Sequence, residues 1–310
     1  MASARRLYRL QITLGALGVG ATVLALAVAF SRVEFRGASL DAVRAACRQM
    51  GLTDFSAPSL LVLLLGSFAL AVTALAARSC FTQLRSRRRF LAEVGVVDRI
   101  AVAGHEARVV DQAQPLAFCT GLLRPCIHVS RGALAVLEAD QLDAVIAHEA
   151  HHARRRDPLR IFVARVLGEA LFFLPVLRRL SAGYGALAEL AADEAAVRQS
   201  GRREPLAAAL LAFDDAPSAA VVGIAPERVD HLLGKRPRWE LPAALLAGAG
   251  VTLAGLFLAV AHTAEATSRA SVGMPVLLAQ ACMVAMAGVP LLAGATVLLA
   301  SKRALGRRRS

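Results

Sequence analysis

Four long apolar stretches constrain the fold of this 310-residue chain more than any other feature. They cover residues 11–30, 57–77, 241–261 and 274–300. Each holds at least about the 20 residues that a helix needs to cross the roughly 30 Å hydrocarbon core of a bilayer. The composition agrees, because 56% of the residues are hydrophobic and the mean hydropathy is +0.54. The sequence therefore predicts an integral membrane protein with four transmembrane helices rather than a soluble domain.

Basic residues cluster at the ends of these stretches. The clusters lie at 5–9 before the first stretch, 85–89 after the second and 302–309 after the fourth. Because Lys and Arg near span ends are retained on the cytoplasmic side, four crossings place both termini and segment 78–240 in the cytoplasm. This topology accounts for the formal net charge of +13. No nucleic-acid-binding signature accompanies the charge, so direct contact with nucleic acid is not expected.

Segment 78–240 is the only polar stretch large enough to fold as a domain. The predicted fold class is an α-helical polytopic membrane protein of the cytoplasmic membrane with an inserted α+β domain. Residues 1–77 form an N-terminal transmembrane hairpin, and residues 241–310 form a C-terminal hairpin with a basic tail. The lipid bilayer is therefore an expected partner of both hairpins.

The sequence His148-Glu149-x-x-His152 lies on an amphipathic helix for which Asp140 is a plausible N-cap. At 100° per residue the two histidines lie about 40° apart, so both imidazoles can bind one zinc ion. Glu149 borders the same face, where it can take a proton from the attacking water and deliver it to the leaving amine. His151 also follows His148 at helical spacing, and it remains an alternative ligand.

A bare H-E-x-x-H motif is only moderately specific, and a catalytic zinc site needs a third protein ligand. Glu189 begins a second helical stretch, ELAADEAAV, and is the predicted third ligand. Asp193 lies one turn later and is expected to hold the distal nitrogen of a ligand histidine. The alternative is that Glu189, Asp193 and Glu194 form a solvated acidic face. Asp157 is expected to pair with neighbouring arginines rather than with the metal.

Together these motifs resemble the integral-membrane gluzincins, and within them the BlaR/MecR-type antirepressor peptidases. The resemblance covers roughly residues 115–200, including the RRDPL sequence at 155–159 and the TGLLRPCIHVSRGAL sequence at 120–134. It implies a gluzincin-type metallopeptidase domain with a two-histidine-plus-glutamate zinc site. The expected function is endoproteolysis of a cytoplasmic or membrane-proximal protein, and the resemblance implies a transcriptional repressor in a signalling pathway as the substrate.

Relatives that sense β-lactams carry a penicillin-binding domain after their last span. About ten mostly basic residues follow the last apolar stretch here, so β-lactam sensing by that route is not expected. The runner-up is a housekeeping quality-control protease related to the CAAX-processing enzyme and its bacterial heat-shock cousins. A second alternative is a non-catalytic signalling scaffold that holds zinc, although an intact general base at Glu149 argues against it.

Residues 160–177 are apolar enough to suggest a further crossing, but Arg165 and Glu169 interrupt the run. One crossing would place Glu189 about 30 Å from His152, on the other side of the bilayer. If Glu189 is a ligand, this segment does not cross. We therefore expect an interfacial helix over 160–177, with Arg165 and Glu169 paired.

The first half of the inserted domain has the pattern of short strands. Alternating or β-branched residues at Ala107–Asp111 and Ile127–Ser130 are separated by turn formers such as Gly121 and Pro125. Ala117–Cys119 and Ile127–Ser130 are candidates for the edge strand to which an extended peptide substrate adds. A purely structural strand is equally compatible with the sequence.

A tetrahedral intermediate needs a hydrogen-bond donor in addition to the metal. Tyr184, Arg228 and His231 are the candidate oxyanion stabilisers, and no spacing rule selects among them. Cys119 and Cys126 belong to no C-x-x-C pair, so they are expected to be reduced packing residues rather than zinc ligands.

Overall fold

The structure is a computed structural model that describes residues 4–34, 39–49, 57–214, 243–268, 272–284 and 286. Its helices are α1 (Ala4–Ser31), α2 (Leu40–Gln49), α3 (Ala57–Glu93), α4 (Arg131–Val136), α5 (Ala139–Arg155), α6 (Asp157–Ala170), α7 (Val176–Ser200), α8 (Glu204–Asp214) and α9 (Ala243–Ala266). Its strands are β1 (Val33–Glu34), β2 (Val96–Val102), β3 (His105–Val110), β4 (Ala117–Thr120), β5 (Cys126–Ser130) and β6 (Val272–Gly273).

Three helices, α1, α3 and α9, are long and apolar enough to cross a membrane. They contain 28, 37 and 24 residues and correspond to the first three predicted spans. The fourth predicted span, 274–300, begins with a shorter apolar helix at Met274–Val284, and most of its remainder lies outside the described residues. The membrane character of the chain is therefore supported, while the fourth crossing stays a prediction.

The chain divides into two compact units, which we describe separately. One unit comprises Gly20–Ala71 and Leu253–Ser310. Its core is built from small and branched apolar side chains, including Ala25, Ala29 and Val260. Small residues allow helices to approach closely where lipid provides no hydrophobic drive for association. Strands β1 and β6 of this unit pair in parallel.

The other unit comprises Met1–Val19 and Val72–Thr252 and contains a four-stranded sheet of order β2-β3-β5-β4. The predicted strands at 107–111 and 127–130 are β3 and β5, which pair in parallel. Strand β4 pairs antiparallel with β5 and lies at the edge of the sheet. Strand β5 lies between β3 and β4, so the prediction of Ile127–Ser130 as an edge strand is wrong. The turn that follows β4 requires glycine, because Gly121 has φ +101° and a Cβ there would lie 2.1 Å from the Arg124 carbonyl oxygen.

Helix α5 packs between this sheet and the other helices of the unit. Its Ile146 and Ala150 contact the buried face of the sheet, whereas Ala144 and Ala147 contact α7 and α8. The helix begins one residue before the predicted N-cap Asp140. Glu138 caps it instead in a reciprocal capping box with Gln141, and Asp140 forms an ion pair with Arg202 at 3.0 Å.

Residues 160–177 do not form the single interfacial helix expected from the sequence. Helix α6 has 14 residues and ends at Ala170, and α7 begins at Val176. A helix of this length reaches about 21 Å, which is shorter than the hydrocarbon core of a bilayer. Among the ion pairs of the described residues, the expected Arg165–Glu169 pair is absent, and Arg165 lines a cavity beside α5.

Candidate metal centre

Three side chains from two helices converge on one point. His148 Nε2 and His152 Nε2 lie 3.2 Å apart. The Glu189 carboxylate oxygens lie 3.4 Å from the first of these nitrogens and 3.5 Å from the second. Ligand atoms bound tetrahedrally to zinc at about 2.0–2.1 Å are separated by about 3.3 Å. The three predicted ligands therefore have the mutual spacing of one tetrahedral metal ion.

Helix geometry explains how the sequence builds this cluster. His148 and His152 are one turn apart on α5, and both are buried. Glu189 comes from the middle of α7, not from the start of a helix as the sequence suggested, and packing of α7 against α5 brings it to the histidines. Its side chain is 40% exposed, so the cluster is open on the side of the glutamate.

The distal nitrogen of each histidine faces a buried carboxylate. His148 Nδ1 lies 2.9 Å from Asp193 Oδ1, the partner predicted from the sequence. His152 Nδ1 lies 2.9 Å from Asp157 Oδ2. Carboxylates at these positions favour a proton on each Nδ1, which directs the two Nε2 atoms toward each other. Two Nε2 atoms 3.2 Å apart repel unless a proton or a metal cation lies between them, so the donor set fits a metal ion.

Sequence reasoning missed the role of Asp157. The expected arginine partners are present, with Arg155 Nε at 3.7 Å and Arg160 Nη1 at 3.9 Å, but the shorter contact is to His152. Arg156 adopts a left-handed conformation, φ 54°, which ends α5 and turns the chain back toward His152. The available signal was Pro158, since a proline in a first helical turn indicates that a new helix starts beside it.

The acidic partners determine the protonation of this cluster. Burial lowers the pKa of His148, but hydrogen bonds to Asp193 and Glu189 outweigh it and raise the pKa to about 9. The negative groups that favour a proton here also favour a divalent cation. Burial raises the pKa of Asp157, yet hydrogen bonds from His152 and Tyr184 lower it below its usual range overall, so this residue is a carboxylate at neutral pH.

Glu149 lies in a cavity of about 910 Å³ with the three candidate ligands. All four residues of β4 line the same cavity, as do side chains from α3, α6 and α8. An acid one residue after a ligand histidine is thus exposed to any substrate that reaches the metal site. Arg87 and Arg165 add basic groups to the cavity wall.

Other predicted residues take positions outside the metal cluster. The Tyr184 side chain is fully buried and its hydroxyl donates to Asp157 Oδ1, whereas the described residues that line the cavity do not include it. This corrects its prediction as an oxyanion stabiliser. Arg228 and His231 lie outside the described residues. Within those residues, His151 belongs to no group of three metal-ligating side chains.

Cys119 and Cys126 are free cysteines, as expected. Burial and the nearby Glu149 carboxylate raise the pKa of the Cys119 thiol to about 12. Both effects favour the neutral thiol over the thiolate.

Comparison with known proteins identifies the family. The family model described as BlaR1 peptidase M56 matches residues 24–234, more than half of the chain and the whole of the metal cluster. The chain belongs to this family. A BlaR-type membrane peptidase was the resemblance recognised from the motifs around His148 and Glu189.

Proteases named HtpX homologues are also similar to this chain. The one from Pyrococcus furiosus is 37% identical over 83 residues, which cover 26% of this chain and 29% of the relative. The one from Pyrococcus abyssi is 32% identical over 143 residues, covering 35% and 50%. HtpX homolog 1 of Streptomyces coelicolor is 32% identical over 155 residues, covering 37% and 51%. The chain thus spans about half the length of these relatives or less.

Proposed function

We propose that this protein is a membrane-embedded zinc endopeptidase. The observation that carries the proposal is the convergence of His148, His152 and Glu189 beside Glu149 at the wall of a large cavity. Two imidazoles and one carboxylate suit zinc and leave a fourth position open, which is the ligand count of catalytic zinc sites. Zinc held there would supply the Lewis acidity that polarises a scissile carbonyl and activates water.

Glu149 is the proposed general base. It lines the cavity beside the converging ligand set without belonging to that set, and from there a carboxylate can accept a proton from the attacking water and pass it to the leaving nitrogen. A structural zinc site has no use for such a residue. Its position in the cavity therefore favours catalysis over the alternative of a zinc-bound scaffold.

Strand β4 is the proposed binding site for the substrate backbone. The Ser130 N–H donates to the Leu116 carbonyl, which sets the phase of the antiparallel ladder between β4 and β5. The bonded pairs then recur at Phe118 and Thr120, so the N–H and C=O groups of Ala117 and Cys119 point away from β5. An extended peptide can add to this edge by main-chain hydrogen bonds, which select little for sequence.

The substrate class and the side of the membrane are part of the proposal. The arginine clusters at 5–9 and 85–89 favour a cytoplasmic peptidase domain within 78–240, flanked by membrane hairpins. Membership of the BlaR1 peptidase family favours a cytoplasmic repressor as substrate. The similarity to HtpX homologues supports the alternative of membrane-protein quality control.

Metal removal tests the proposed chemistry. The full chain purified in detergent is expected to contain about one zinc ion and to hydrolyse unfolded protein substrates. Treatment with 1,10-phenanthroline should abolish hydrolysis. It should also lower the midpoint temperature of unfolding, because an ion that binds only the folded state stabilises the folded state. Adding zinc back should restore both. Hydrolysis that continues after the metal has been removed contradicts the proposal.

Substrate trapping separates the two substrate classes. In cells that express the Glu149→Gln variant, the physiological substrate should accumulate uncleaved relative to cells with the unmodified chain. Accumulation of a small DNA-binding repressor supports the signalling function, whereas accumulation of many unassembled membrane proteins supports quality control. Proteome-wide mass spectrometry provides the measurement. The Asp143→Asn variant is the matched control, since Asp143 is exposed on the same helix and does not line the cavity.

A further inference from the structure

We infer that the N-terminal helix α1 sets the geometry of the metal centre through Tyr8, Tyr184 and Asp157, which lead from α1 to His152. This inference rests on the proposed function, since it assigns a regulatory input to the same metal site. In this role Tyr8 and Gln11 of α1 are positioning residues. All of the contacts on which the inference rests lie within the unit Met1–Val19 and Val72–Thr252.

The first set of contacts connects the proposed metal ligand His152 to Tyr184 through Asp157. Asp157 is 1% exposed, and its two oxygens divide their contacts between His152 Nδ1 and the Tyr184 hydroxyl. A buried carboxylate with a donor on each oxygen has few alternative orientations. The Tyr184 hydroxyl therefore helps to hold Asp157, and Asp157 in turn holds the His152 imidazole.

The second set of contacts connects Tyr184 to α1. The rings of Tyr8 and Tyr184 lie 5.2 Å apart between centroids, and the Arg160 guanidinium lies 5.4 Å from the centroid of the Tyr8 ring. The two tyrosines pack together with Ala4 and Ala188 in a small buried cluster. Tyr8 is thus packed against the residue that holds Asp157 and against a cation that faces Asp157.

Three further residues fasten α1 to the helices of the metal site. The fully buried Gln11 donates from Nε2 to the Ala164 carbonyl of α6 at 3.0 Å and to the Leu177 carbonyl of α7 at 3.3 Å. One turn and two turns further on, Gly15 and Gly18 face the α6 segment and the turn after it. A Cβ on Gly15 would lie 2.7 Å from Leu167, and one on Gly18 would lie 2.9 Å from Leu171. This close fit permits little sliding or rotation of α1 without breaking the contacts.

The consequence follows from the length of α1. It is one of three described helices that are long and apolar enough to cross a membrane. A shift or rotation of this helix would withdraw Tyr8 from Tyr184 and pull Gln11 from both α6 and α7. Asp157, which holds His152, lies on α6, and Glu189 lies on α7. Such a movement would therefore disturb two of the proposed ligands, His152 and Glu189, at once. A signal received in the membrane can thereby alter metal binding.

Zinc affinity provides the test. The full chain carrying Glu149→Gln, which prevents self-cleavage, is reconstituted in nanodiscs and titrated with zinc against a chelator. Tyr8→Leu and Tyr184→Phe should each weaken zinc binding about 10-fold, the lower end of the range for loss of groups that orient a ligand. Tyr8→Phe, which keeps the ring, should stay within about twofold of the parent. Leu17→Ala, an exposed position on α1, should leave the affinity unchanged.

Two additional readouts separate positioning from simple loss of folding. The absorption spectrum of the cobalt-substituted chain should change in Tyr8→Leu but not in Leu17→Ala, because it reports the geometry around the ion. Gln11→Met, which keeps the size of the side chain and removes the amide, should weaken zinc binding in the same direction. In the double variant Tyr8→Leu/Tyr184→Phe, the fold-loss of zinc affinity should be smaller than the product of the two single fold-losses, since both substitutions act through Asp157.

The outcomes distinguish this inference from the proposed function. Unchanged zinc affinity and cobalt spectrum in Tyr8→Leu, Gln11→Met and Tyr184→Phe overturn the coupling and leave the endopeptidase proposal intact. An equal loss of affinity in Tyr8→Phe and Tyr8→Leu also overturns it, because the ring would then be irrelevant. Failure of the parent chain to bind zinc refutes the metal site itself. If Tyr8→Leu does not fold, Gln11→Met and Tyr184→Phe decide the outcome.

Discussion

Replacing Glu149 with glutamine is expected to reduce peptide hydrolysis by about 10²–10⁴-fold while zinc stays bound. Proton transfer by a positioned side chain contributes roughly 10²–10⁴-fold to a rate, and an amide cannot accept the proton of the attacking water. The three converging ligand atoms belong to His148, His152 and Glu189, so the substitution leaves the metal-binding set unchanged. The expected variant is therefore a metal-loaded but inactive chain.

The measurement combines turnover of a fluorogenic peptide with elemental analysis of zinc. Asp143→Asn removes the same charge from an exposed position on α5 and should leave both quantities near their original values. Turnover of Glu149→Gln within tenfold of the unmodified chain would exclude this residue as the general base. Loss of zinc together with activity would assign Glu149 to metal binding instead.

Removal of the Glu189 carboxylate is expected to produce the second large effect, a loss of at least about 100-fold in zinc affinity. Loss of a group that merely orients a ligand weakens metal binding 10–100-fold, so loss of a ligand itself should reach or exceed the upper end of that range. At 25 °C a 100-fold loss corresponds to about 2.7 kcal/mol. Glu189→Ala should also lose activity in proportion to its lost metal.

Glu194 offers a matched control for this substitution. It lies on the same helix, and its 54% exposed carboxylate faces Arg198 at 3.5 Å rather than the metal cluster. Glu194→Ala should bind zinc as the unmodified chain does, and its thermal midpoint should rise normally when zinc is added. Equal zinc affinities in Glu189→Ala and Glu194→Ala would support the alternative that the acidic residues of α7 form only a solvated face.

Features that depend on local repetition were predictable from the sequence. The spans that became α1, α3 and α9 were predicted because a bilayer demands an uninterrupted apolar helix of fixed length. His148 and His152 share a face because of helix periodicity, which requires no knowledge of the surrounding fold. The same periodicity places Glu189 and Asp193 on one side of α7. The four-residue spacing in both helices thus identified the side chains that converge in the structure.

The residues at which helices begin were harder to predict, because the residues around a helix start are often compatible with more than one starting position. Helix α7 begins at Val176, thirteen positions before Glu189, since the small residues between them are compatible with a helix or a loop. Asp140 is a good N-cap by residue type, but the reciprocal bonds of Glu138 and Gln141 place the N-cap of α5 two residues earlier, at Glu138.

The sequence by itself determined the three apolar helices of membrane length, the histidine pair, its acid and the glutamate on a second helix, because each depends only on the residue pattern within one helix. Only the tertiary structure decided which side chains support that site. Asp157 reaches His152 because Arg156 turns the chain, and Tyr184 faces Asp157 instead of the cavity. Gln11 bonds Ala164 across 153 residues. Such contacts depend on how separate helices pack, and no local periodicity specifies the direction in which two distant helices face each other.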